Sequence, residues 1–89
     1  MKRYQIIFKG RVQGVGFRFQ VKMLADKLDL TGTVRNLYDG NVEVYIQGNG
    51  INIYKFFEGI ENINFARVES KEIDEVAIKE DESDFEIVY

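Results

Sequence analysis

Hydrophobic positions along this chain alternate between a two-residue and a three-to-four-residue period, and each change marks a new element. The opening stretch, about Arg3 to Val12, sets Tyr4, Ile6 and Phe8 on one side and Ile7 on the other, as in a central strand. From about Phe17 to Asp29 the apolar residues Phe17, Val21, Leu24 and Leu28 are spaced by four, three and four, which predicts a helix. Gly32 is expected to end that helical tract and its exit loop. A hairpin follows, Thr33 to Tyr38 and Asn41 to Gln47, around the turn pair Asp39-Gly40, with Val42, Val44 and Ile46 alternating against Glu43, Tyr45 and Gln47. The second helix lies between the breakers Gly48, Asn49 and Gly50 and the polar Asn62, and its stripe is Ile53, Phe56, Phe57 and Ile60. Strands are expected at Phe65 to Ser70, Glu75 to Lys79 and Phe85 to Tyr89, with Glu80 to Asp84 a solvated turn. Phe8, Phe17, Phe19, Phe56, Phe57 and Phe65 are read as core or partial core, because a domain of 89 residues depends on large apolar side chains.

The order βαββαβ with a terminal strand predicts an α+β fold of the ferredoxin-like kind, a sandwich of two helices on one face of an antiparallel sheet. Its strand order would be 4-1-3-2, plus the C-terminal strand. With no repeat, no low-complexity tract and no proline, residues 1–89 read as a single domain. That topology brings the loop after the first strand, the start of the first helix and the far end of the second strand to one end of the sheet. Hairpin register then decides which side chain points there. A two-residue Asp39-Gly40 loop sets Arg35 opposite Val44 and drives the arginine toward the core. A three-residue loop of Tyr38, Asp39 and Gly40 sets Val34 opposite Val44 and Asn36 opposite Val42. The second register is expected, since burying Val34 costs far less than burying Arg35. Asn36 then converges on the first loop.

Composition removes much of catalytic chemistry: with no Cys there is no thiolate nucleophile, and with no His the commonest general base is missing. No Asp/Glu group has calcium-loop or two-metal spacing, so no metal and no cofactor are expected. A net charge of -3 opposes nucleic-acid binding. The opening segment has no apolar run longer than Ile6 to Phe8, far short of a signal-peptide core or a membrane span, so a cytoplasmic protein without membrane partners is expected.

Within this inventory, the segment GRVQGVGFRF from Gly10 to Phe19 carries the chemistry. A glycine-punctuated loop running into a helix leaves backbone N–H groups directed inward, and the helix start adds about half a positive charge. Arg18 contributes a planar fork of donors suited to a phosphoryl or carboxylate group. An arginine in a first helical turn is mildly disfavoured by the dipole, which makes its presence informative. The string matches neither GxGxxG nor a Walker A loop, so nucleotide readings gain nothing.

GRVQGVGFR at Gly10 to Arg18 and GTVRNLYDGNVEV at Gly32 to Val44 together resemble the acylphosphatases, in that family's order and spacing. The aromatic-x-Ile-x-Tyr finish of Phe85, Ile87 and Tyr89 is similar as well, while Asn64 stands where the family often has proline and Thr33 where an aromatic is frequent. The resemblance implies hydrolysis of small acyl phosphates to a carboxylate and inorganic phosphate. It further implies that Arg18 binds the phosphoryl group and Asn36 orients the attacking water. Backbone N–H groups of Gln13, Gly14, Val15, Gly16, Phe17 and Arg18 would hold the phosphoryl oxygens, and inorganic phosphate or sulfate would bind as an analogue. An acyl phosphate carries its own good leaving group, so positioning and charge stabilisation suffice. Asn36 is nearly non-basic, so the base lies elsewhere: either the bound phosphate dianion accepts the proton, which the absence of His favours, or a carboxylate does. Broad specificity for the acyl group and a monomeric state are expected. The alternative is a non-catalytic ferredoxin-like ligand- or RNA-binding module. GVGFRF faintly echoes an aromatic RNP1 string, but RNP1 belongs on a third strand and this segment follows the first.

Overall fold

The computed structural model describes residues 1–63 and 66–89. The expected core position of Phe65 and the expected strand start there lie outside the described residues. The elements are β1 (Lys2–Arg11), α1 (Phe17–Lys27), β2 (Thr31–Asn36), β3 (Val42–Gly48), α2 (Gly50–Ile60), β4 (Arg67–Val76) and β5 (Phe85–Ile87). They form one 5-stranded sheet in the order β4-β1-β3-β2-β5.

Alternation builds the two faces. Ile6, Phe8, Val34, Val42, Val44 and Ile46 point to one side and are fully buried beneath Phe17, Val21 and Ala25 of α1 and Ile53, Phe56 and Ile60 of α2. Each such side chain contributes about 1.5–3 kcal/mol relative to exposure. Phe17 meets Phe8 edge to face at 5.4 Å between ring centroids, which anchors the first residue of α1 to the centre of the sheet. α2 starts on Asn49, whose side-chain oxygen accepts from the Asn52 N–H at 2.8 Å.

The hairpin adopts the register with Val34 opposite Val44 and Asn36 opposite Val42. Leu37 N–H donates to the Asn41 carbonyl at 2.9 Å, closing a loop of Tyr38, Asp39 and Gly40, with Gly40 at φ 93°.

Several expectations are corrected. Gly32 does not close the first helical tract; Asp29, left-handed at φ 54°, does so, and Leu30 N–H returns to the Ala25 carbonyl at 2.9 Å. Gly32 sits instead inside β2, where a Cβ would stand 1.7 Å from the Tyr45 carbonyl oxygen of the neighbouring strand. The two strands expected at 65–70 and 75–79 are a single edge strand, β4, paired along β1 through a register shift at Lys9/Gly10. Its exposed charges obscure any two-residue period. Phe19 is not core but 61% exposed.

The sheet is also mixed rather than purely antiparallel, because β5 runs parallel to β2. Direction explains this: β4 is antiparallel to β1, β1 and β2 are both antiparallel to β3, and so β4 finishes at the same end of the sheet at which β2 begins. A chain that crosses there and re-enters beside β2 has to run with it. The crossing segment, expected to be a solvated turn, is bound to the helix-free face: Glu82 accepts from Arg3 and from the Thr31 hydroxyl, both at 2.7 Å. Gln47 adds two bonds to the Lys79 backbone, at 3.0 and 2.9 Å.

Candidate active site

Between β1 and α1 the chain turns through Gly14 at φ 73° and Gly16 at φ 77°, and neither position has a heavy atom within 4 Å of an added Cβ. Space is therefore not what requires glycine there; the left-handed backbone is. Gly16 is also the N-cap of α1, so no side chain caps the helix, and its first turn contains no acidic residue. The free N–H groups and the positive end of the helix dipole are left for an outside anion. Buried Phe17 holds this turn in place, and Arg18 emerges from it.

Arg18 differs from two other arginines of the chain. Arg3 is paired with Glu82 and Arg35 with Glu43, each at 2.7 Å. Among the described residues no carboxylate lies in ion-pair contact with Arg18, whose guanidinium instead stacks over the Tyr89 ring at 5.2 Å from its centroid. Its charge is thus oriented without being neutralised.

Asn36 is the last residue of β2 and is exposed, on the helix-facing side next to Val34. The Gln13 carboxamide reaches the same hairpin, donating to the carbonyls of Leu37 and Asn41 at 2.8 Å each.

Gly14, Gly16, Phe17, Arg18 and Asn36 border one cavity of about 250 Å³, together with Val12, Phe19, Ile87 and Tyr89. This places five of the expected residues around a single space. Gln13 and Val15 do not line it: Gln13 is turned to the hairpin and Val15 packs against the core. Phe19 and Tyr89 as cavity walls were not foreseen. Phe19 follows the helical spacing of no buried residue, and the terminal aromatic gives no hint of its target until β5 is laid beside β2. A larger recess of about 510 Å³ lies at the other end of α1, but Asp26, Asp29, Asp84 and Glu86 line it against one lysine, Lys22. That recess has the wrong sign for an anion.

The acylphosphatase family model matches residues 4–87. The chain is 42% identical to an acylphosphatase of Clostridium beijerinckii over 90 residues, covering 100% of both chains. It is similar to the crystal structure of acylphosphatase from Bacillus subtilis with a TM-score of 0.94 and 42% identity, again over 100% of each chain. The crystal structure of HypF from T. kodakarensis contains a similar unit, with a TM-score of 0.87 and 32% identity, covering 100% of this chain and 12% of that one.

Proposed function

The chain belongs to the acylphosphatase family and is an enzyme hydrolysing acyl phosphates, and from that premise we propose that its phosphoryl group is held by the Gln13–Arg18 loop while Asn36 aims the attacking water. Water oxygen bonds to phosphorus as the bond from phosphorus to the bridging acyl oxygen breaks. The carboxylate departs with that electron pair, and the water proton passes to a phosphoryl oxygen. Charge redistributes over the phosphoryl oxygens in the transition state, where the backbone N–H groups and the Arg18 fork are already oriented. Asn36 accepts no proton; its carboxamide restricts where the water sits.

One observation carries this reading: the glycine loop, an arginine that has no carboxylate partner among the described residues and Asn36 border the same cavity. Inorganic phosphate binds there as the product, and sulfate as its analogue. Residues 1–89 act as a single domain, supported by one sheet that runs from β4 to β5, and as a cytoplasmic monomer. No helix among the described residues is long and apolar enough to cross a membrane.

The deciding experiment measures phosphate release from benzoyl phosphate and acetyl phosphate by the parent protein and by Arg18→Ala and Asn36→Ala. Hydrolysis lost in both variants, with the fold intact by circular dichroism, is the expected result. Parent-like turnover in either variant would remove that residue from the mechanism.

A further inference from the structure

Neither the anion loop nor the strand end bearing Asn36 is joined to the other within the sheet, because β3 lies between β1 and β2. A direct link is made by one side chain. Gln13 precedes Gly14, and its terminal amide donates to Leu37 O and Asn41 O at 2.8 Å each. These two carbonyls belong to the residues that close the hairpin loop, themselves joined from Leu37 N–H to Asn41 O at 2.9 Å, and Leu37 directly follows Asn36. Both acceptors are carbonyl oxygens, so the Gln13 carboxamide meets them with its NH₂ end and not its oxygen, and both hydrogens of that group are used. The side chain is partly buried, which strengthens the two bonds relative to exposed ones.

We propose that Gln13 is a positioning residue for hydrolysis: through its carboxamide it locks the anion loop to the hairpin and so holds the Asn36-bound water at a set distance from the phosphoryl group. The inference rests on the roles given above to Arg18 and Asn36. Reactive geometry requires an approach of about 3–3.5 Å, and a displacement of about 1 Å costs on the order of a hundredfold in rate. Phosphate affinity depends on the loop and Arg18 alone, both on the near side of the link. Loss of the link therefore acts on turnover and leaves product binding in place.

The test uses Gln13→Met, which keeps side-chain volume and loses both donors, beside Gln13→Ala, Asn36→Ala and the double variant Gln13→Met/Asn36→Ala. With benzoyl phosphate, kcat is expected to fall about tenfold to a hundredfold in Gln13→Met, while the inhibition constant of inorganic phosphate stays within about twofold. Residues that act as a unit are non-additive, so in the Asn36→Ala background the same change is expected to cost less than about twofold. Parent-like kcat in Gln13→Met overturns the inference, as does a kcat loss matched by an equal loss of phosphate affinity. Full additivity with an impaired Asn36→Ala removes the inference alone. An Asn36→Ala enzyme as fast as the parent removes the site reading, and the inference with it.

Discussion

Arg3 and Glu82, far apart in the chain, meet at 2.7 Å with only 8% and 7% of their side-chain surfaces exposed. Their ion pair ties the segment between β4 and β5 across the helix-free face of the sheet. The Gln47 side chain, accepting from Arg3 at 3.1 Å, and the Thr31 hydroxyl complete the cluster. β5 follows at once, and with it come Ile87 and Tyr89, which wall the anion cavity. The clamp therefore connects stability to the site.

Removing one partner of a buried pair leaves the other charge without compensation, typically at a cost of about 3–5 kcal/mol. Glu82→Ala is expected to lower stability by about that amount in urea unfolding. Replacing both, as Arg3→Met/Glu82→Leu, is expected to recover much of the loss. A Glu82→Ala midpoint equal to the parent's would show that the pair contributes nothing.

Arg18 separates charge from geometry. Loss of a preorganised donor to transition-state charge costs about 3–4 kcal/mol, a factor of about a hundred to a thousand in rate. Arg18→Ala is expected to lose at least that in kcat/KM and to weaken phosphate binding. Arg18→Lys keeps the charge without the planar fork, and is also expected to fail, by more than about tenfold. Steady-state kinetics on benzoyl phosphate decide it; a lysine variant near parent activity would mean that a point charge suffices.

Asn36 carries no charge toward the anion, so Asn36→Ala is expected to lower kcat about a hundredfold while inorganic phosphate still inhibits competitively with nearly unchanged affinity. Matched losses of phosphate affinity in Asn36→Ala and Arg18→Ala would contradict their separate roles.

Turnover is expected to survive excess chelator. Arg18 and the helix N-terminus supply the positive charge at the cavity, and among the described residues no group of three or more Asp, Glu, His or Cys is arranged to hold a metal. Activity abolished by EDTA and restored by a divalent ion would transfer that electrostatic role to a metal.

Local chemistry made much of this protein legible from its residues. The apolar spacing of Phe17, Val21 and Leu24 marked α1, and the stripe from Ile53 to Ile60 marked α2. Even the hairpin register followed from one energetic comparison, Val34 against Arg35 at the core-facing position. Glycines at 14 and 16 signalled a loop before a helix; that both are left-handed, at φ 73° and 77°, is seen in the structure. These inferences succeeded because each depends on residues within a few positions of one another, where periodicity and backbone preference dominate.

The rest depended on contacts between distant residues. β4, an edge strand with most side chains in water, carries no amphipathic signal and is set by its ladder to β1. The parallel course of β5 follows from where β4 ends, and Glu82 is drawn from an apparently solvated acidic tract into a buried pair with Arg3. Phe19 leaves the core because the anchoring of Phe17 against Phe8 turns it outward, toward the cavity. Sequence by itself supplied the pieces of the proposed anion site, a glycine loop, an arginine and an asparagine. Only tertiary structure decided that Gln13 joins two of them and that β5 closes the wall, since hydrogen bonds and ion pairs at such separations exist only once the sheet has assembled.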